Sequence, residues 1–272
     1  MSFISDMLGS PVLTDRQCEQ FAASPIIHGE KLSFGYQPRD YELQPEVKFC
    51  SPLPPDFVIP RDEWEAIIRA QEENQATLRH VRDRAGIKTK SQNGTNYCWA
   101  FGTVAAVQLV RASAGMPTVA LSPTAVAAQV TKYRNVGGNT FDAIPWIAEH
   151  GVPTVGQWPL NKIDRQYATA ETANNAANYR LTEWYELKSN SFDQAASCLL
   201  RGIPVILGLM WWGHMVCGVR LVSLGGGKFG IEIENSHGEG YGEKGLAVLP
   251  ESKSTAFDQA APRVVTPHSN LI

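Results

Sequence analysis

The rhythm of apolar positions along this 272-residue chain changes near residue 200. Before that point apolar residues recur at helical spacing; after it they come in short runs rich in Val and Ile. Residues 1–60 follow neither rhythm. They hold eight of the seventeen prolines, including Ser51-Pro52-Leu53-Pro54-Pro55. The expectation is an extended arm with at most short strands or turns, lying on another part of the molecule. Residues 61–85 read as one charged amphipathic helix. Asp62 stands where a cap belongs, Trp64, Ile67, Ile68, Leu78 and Val81 form the apolar stripe, and Gly86 can end it. The charges between are expected to be a solvated face.

A second helix is predicted from Cys98 to about Ala114, capped by Thr95 or Asn96. A third follows Leu121-Ser122-Pro123, with Ser122 as cap and Pro123 in the first helical position. A fourth covers Thr140 to His150 and stops at Gly151. Residues 202–210, 214–223 and 228–235 read as strands, the last alternating Phe229, Ile231 and Ile233 with other residues. Helices followed by strands imply an α+β fold with two lobes facing one another. The stretch 251–272 is polar and contains proline, and is expected to be a second arm.

Composition narrows the function classes. A 43% hydrophobic chain with 19% charged residues is globular. A net charge of −3 excludes a protein built to coat nucleic acid or an anionic membrane. The longest apolar stretch, around residues 202–219, is broken by glycine, proline and histidine. Cysteines at 18, 50, 98, 198 and 217 are odd in number, widely spaced and free of CxxC pairs. Neither a disulfide scaffold nor a metal site is expected, and no cofactor. The first twenty residues lack a basic segment followed by an apolar run, so a cytoplasmic protein is expected.

The chemistry centres on Ser91-Gln-Asn-Gly-Thr-Asn-Tyr-Cys-Trp-Ala-Phe-Gly102, a polar loop that becomes an apolar helix at a thiol. Cys98 could be a nucleophile, a metal ligand, half of a disulfide or a small core residue; a lone cysteine before an apolar helix is more often the last. The helix start favours a thiolate through its partial positive charge and free N–H groups. A nucleophilic thiolate also needs a base held in one tautomer. His214 in Trp-Trp-Gly-His-Met can be that base, and Asn235 can orient it. Gln92 can aim its amide at an oxyanion beside the Cys98 N–H. Cys198 and Cys217 read as buried hydrophobes, Trp211 and Trp212 as packing or cleft residues. Asn93-Gly-Thr matches a glycosylation signal that a cytoplasmic chain would not use. His28, His80, His150 and His268 lack supporting context.

These residues resemble the papain-like cysteine peptidases. Gln92 to Phe101 is similar to that family's nucleophile block, with the same Gln-to-Cys spacing. Residues 121–129, 135–152, 214–222 and 231–249 resemble its next helix, its paired glycines, its histidine strand and its asparagine strand. The resemblance covers roughly residues 86–250 and implies a helical lobe and an antiparallel, barrel-like β-lobe with the cleft between. It implies that Cys98 attacks the scissile carbonyl of a peptide or protein substrate and His214 protonates the leaving amine. Asn235 would then orient His214, Gln92 would bind the oxyanion, and Gly137 and Gly138 would line the cleft.

Departures from the pattern are specific. Thr95 and Asn135 stand where the family has a disulfide, and the excursion before the histidine is cut to Met210-Trp-Trp-Gly213. Tyr97 replaces a small residue and is expected to narrow the cleft. His237 replaces the tryptophan that shields the His–Asn hydrogen bond, and an imidazole shields less and titrates. A second reading follows: a weakened or inactive papain-like module, retained as a structural part of a larger assembly such as a virus particle, with the arm contacting its partners.

Overall fold

The computed structural model describes residues 9–264 apart from 25, 28, 29 and 32; His28, His268 and the last residues of the predicted tail lie outside them. The chain begins with α1 (Asp15–Ala23), β1 (Ile26–Ile27), β2 (Glu30–Lys31) and β3 (Cys50–Pro52). Helices α2 (Arg61–Glu73), α3 (Leu78–Arg84), α4 (Cys98–Ser113), α5 (Pro123–Val130), α6 (Thr140–His150) and α7 (Ala170–Ala177) follow. Then come β4 (Glu183–Glu186), α8 (Phe192–Leu200), β5 (Val205–Leu209), β6 (His214–Gly225), β7 (Lys228–Glu234), β8 (Leu246–Pro250), α9 (Glu251–Ser254) and β9 (Asp258–Val264). The seven-stranded sheet runs β3-β4-β9-β5-β6-β7-β8, antiparallel except for β3 on β4. This is the expected α+β architecture.

Period two in β6 explains why the sheet joins two cores. Met215, Cys217 and Val219 enter the core around α4, whereas Val216 enters the opposite core with Trp64, Phe192 and Phe229. A register shift between Gly218 and Arg220 then turns Leu221 to that second core. Helix α4 is buried on nearly all sides, as its unbroken apolar run requires. Ser122 caps α5 through its hydroxyl and Gly151 ends α6 at φ 81°, as their sequences predict.

The arm is more structured than proline content suggests. Thr14 and Gln17 form a reciprocal capping box that starts α1. Before it, Leu13 N–H donates to Val248 O and Val248 N–H to Pro11 O, so the chain extends the β8 edge. At its other end β3 pairs with β4 on the opposite edge. The arm thus covers both edges of the sheet, which would otherwise present unpaired backbone groups.

Three further expectations are corrected. Residues 61–85 form two helices, broken at residues 74–77, with Thr77 capping the second; Pro60 rather than Asp62 precedes the first. Their charges are not all solvated. Arg79 and Arg82 reach Glu232 and Glu234 on β7 at 2.9 and 2.8 Å, and all four side chains are largely buried. The polar tail is β9, inserted between β4 and β5 with Ala260 and Ala261 fully buried. Alanine and glutamine carry little strand propensity, so partners on both sides decide the outcome. Pro262 pairs only with β4, next to a register shift that accommodates its missing N–H.

Candidate active site

Cys98 is the first residue of α4, fully buried, and the preceding Tyr97 provides no side-chain cap. The helix N-terminus therefore keeps free N–H groups beside the sulfur, which faces the amides of Trp99 and Met215. His214 opens β6, paired with Leu209 across the four-residue turn that replaces the family's excursion. Asn235 follows the end of β7, the next strand of the sheet. That adjacency brings His214 Nε2 to 2.8 Å from Asn235 Oδ1. With Nε2 donating to this oxygen, Nδ1 is the basic nitrogen.

Gln92 is held by its neighbours. Its backbone N–H donates to Ser236 O at 2.8 Å, and its Oε1 accepts from Ser236 Oγ at 2.5 Å. The amide can then turn only Nε2 outward, where it donates to Thr95 O and to Ser33 O, both at 2.9 Å. Where the resemblance places a disulfide, hydrogen bonds hold the loop instead. Asn135 Oδ1 accepts from Asn96 N–H at 2.8 Å and Asn135 Nδ2 donates to Gly94 O at 2.9 Å.

The two expected modulators behave differently. Tyr97 does not narrow the groove: it is fully buried in the helical lobe, where its hydroxyl donates to Arg134 O at 2.9 Å. A phenol beside an apolar core satisfies its hydroxyl on the nearest free carbonyl. His237 lies flat on His214, with ring centroids 4.8 Å apart and planes 8° from parallel. Trp212 and Phe34 complete the cover, 4.8 and 5.0 Å from the His214 ring.

Phe34 belongs to the arm, and residues 33–37 occupy the groove. Tyr36 forms a parallel bridge with Gly138: Gln37 N–H donates to Gly138 O and Gly138 N–H to Gly35 O, at 3.0 and 2.9 Å. Across the groove Tyr36 N–H donates to Gly213 O at 3.1 Å. The approach requires glycine. A Cβ on Gly137 would stand 2.4 Å from Gly35 O, one on Gly138 2.7 Å from the Trp99 ring, and one on Gly35 2.0 Å from Asn96 O. Gly35 and Tyr36 pass beside Cys98, and both of their N–H groups go to Gly213 O, at 3.5 and 3.1 Å.

Burial under the arm sets the charge state. Loss of water pushes the Cys98 thiol up to about 12, against the pull of the surrounding N–H groups. Burial also takes His214 down to about 4, although the bond to Asn235 favours its charged form. The pair is therefore neutral thiol and neutral imidazole, with His214 Nδ1 left without a hydrogen-bond partner. His237 falls further, to about 2, through burial and then repulsion from His214.

Sequence reasoning missed Ser236, Phe34 and Asp258. Ser236 adjoins Asn235 but carries no pattern of its own. The run Ser33-Phe-Gly-Tyr36 offered a signal, an aromatic–glycine–aromatic core in an otherwise polar arm. Asp258 falls in the polar stretch expected to be a second arm.

Residues 77–217 match the model of the papain family cysteine proteases. Among solved structures, a digestive procathepsin L 3 of Tenebrio molitor superposes with TM-score 0.57 at 19% identity, over 65% of this chain and 66% of that one. The chain thus spans just under two thirds of that relative's length. Xylellain, a cysteine protease from Xylella fastidiosa, gives 0.59 at 18% identity over 88% and 98% of the two chains. The bromelain protease of Ananas comosus gives 0.55 at 21% over 68% and 97%. No curated protein sequence matches significantly. Because the match to that family's model covers more than half of the sequence, the chain belongs to the papain family of cysteine proteases.

Proposed function

We propose that the chain is a cysteine endopeptidase held here in a self-occluded state by residues 33–37. The observation that carries this reading is the His214–Asn235 hydrogen bond at 2.8 Å, in the same groove as a thiol on a helix N-terminus and an outward-turned Gln92 amide. Once the arm segment leaves, water returns and the burial that keeps both groups neutral is relieved. His214 Nδ1 takes the Cys98 proton, and the sulfur attacks the scissile carbonyl carbon. Gln92 Nε2 and the Cys98 N–H stabilise the oxyanion. His214 gives its proton to the leaving amine, and water, deprotonated by His214, then hydrolyses the thioester.

A second reading rests on His237. A ring that titrates, stacked on His214, opposes the imidazolium this chemistry needs, and it favours a weak or inactive module serving a larger assembly. One experiment decides: label the full chain with a thiol-directed affinity probe across pH, beside Cys98→Ala and His214→Ala and in the Gly35→Ala background. The peptidase reading expects fast labelling at Cys98 once the arm is displaced, lost with His214→Ala. Labelling no faster than that of an ordinary thiol would establish the second reading.

A further inference from the structure

A second cavity lies between the C-terminal end of α6 and one face of α7, with a volume of about 340 Å³. That is enough for a small molecule. Helix α6 leaves the groove at Asn139 and runs for eleven residues, so the cavity is about 16 Å from the groove along the helix axis. Its walls are tied together. Gly151, at the end of α6, lets the two helices meet, since a Cβ there would stand 1.9 Å from Ala176 O. Thr154 N–H donates to Asn175 Oδ1 at 2.8 Å and fixes the following loop to α7. The Trp146 ring is held by His150, stacked on it at 4.0 Å between centroids and 14° between planes.

Two residues of this lining, Arg180 and Trp146, hold enclosed donors, Nε and Nε1, that have no acceptor among the described residues. Arg180 makes no hydrogen bond or ion pair with any described residue. A half-buried guanidinium without a partner is costly, and an arriving anion relieves that cost. Glu149 also lines the cavity, but its side chain is exposed and its carboxylate lies 3.8 Å from Lys48 Nζ. The C-terminal pole of α6 and the N-terminal pole of α7 both open on the cavity and oppose one another, so the guanidinium decides the sign of the ligand. We propose that this cavity binds a small molecule carrying a carboxylate. The planar guanidinium matches the two carboxylate oxygens, and the indole N–H supplies a further donor. Trp146, Pro153, Ala173 and Ala176 cover the apolar body of the ligand, which favours an organic acid over inorganic phosphate. The carboxylate is that of a free acid or the C-terminus of a short peptide. The inference stands apart from the peptidase reading.

The test titrates the full chain with four probes: benzoate, acetyl-dialanine with a free C-terminus, the same peptide as its C-terminal amide, and inorganic phosphate. Binding is followed through the indole N–H signal of Trp146 in ¹H–¹⁵N spectra, assigned by its loss in Trp146→Phe. Benzoate or the free-acid peptide is expected to move that signal to saturation, with a Kd of about 1 mM or lower. The tighter of the two identifies the source of the carboxylate. The amide and phosphate are expected to leave the signal in place. Arg180→Gln should weaken carboxylate binding at least about tenfold, and Arg180→Lys less, because the charge remains. A Trp146 signal unmoved by both carboxylates, or moved as readily by the amide or by phosphate, would overturn the proposal. So would an affinity unchanged in Arg180→Gln. The comparison of acid with amide needs no variant, so it decides even if Arg180→Gln fails to fold.

Discussion

His237 lies on His214 with the two ring planes 8° from parallel and 4.8 Å apart. Shielding of the His214–Asn235 bond is thus retained in shape but not in chemistry. The two rings resist charging together: a proton on either one disfavours a proton on the other. Substituting His237→Trp in the Gly35→Ala background restores an apolar plate that cannot charge. The expected result is a higher probe-labelling rate at mildly acid pH, by up to about tenfold, the equivalent of one pKa unit. An unchanged or lower rate would show that the stack does not limit the ion pair.

The same stack makes the occluded state acid-sensitive. Burial lowers His214 from 6.5 to about 4, and burial with repulsion lowers His237 to about 2. The unfolded chain, with ordinary imidazoles, binds more protons than the folded one below about pH 6.5. Stability from these two groups is therefore complete above that pH and declines as pH falls toward 4 and then 2. Thermal unfolding followed from pH 7 to 4 should show a falling midpoint. His237→Phe should flatten the slope, which separates the histidines from carboxylates elsewhere.

The arm's grip can be read through Phe34. Its ring meets those of His214, Trp212 and His237 at 5.0, 6.2 and 5.8 Å. Phe34→Ala removes this cover and opens the groove to water without touching either sheet edge. Cys98 should then label at least about tenfold faster, matching the loss of one aromatic side chain's contacts. Deleting residues 1–60 is a poorer test. It strips β3 and the β8 extension, so exposed edges confound any change in activity.

Much of the site was legible because its residues sit where local rules apply. Cys98 opens an apolar helix, His214 opens an apolar strand, and Asn235 closes an alternating one. What escaped depends on distant pairing. Asp15–Ala23 is a helix because Thr14 caps it and because Cys18 packs into the β-side core. Asp258–Val264 is a central strand because β4 and β5 supply partners that alanine-rich sequence does not announce. Arg82 looked solvated because its partner, Glu234, lies 152 residues away. Tyr97 reads as a cleft residue because sequence adjacency to Cys98 does not fix direction, whereas its ring points back into the core of the helical lobe.

The hydrogen bond from Ser236 to Gln92 separates positioning from binding. Gln92 Oε1 accepts from Ser236 Oγ, and this is what leaves Nε2 facing the groove. Ser236→Ala lets the amide turn over, so that an oxygen can face the oxyanion in place of a donor. In the Gly35→Ala background, Gln92→Ala should lower kcat by about 10²–10³. Ser236→Ala should lower it by up to about tenfold, with KM unchanged in both, because the lost interaction exists only in the transition state. If Ser236→Ala raises KM and leaves kcat alone, the serine shapes the groove and does not orient Gln92. Combining the two substitutions completes the test: a positioning role predicts that Ser236→Ala adds nothing once Gln92 is already alanine.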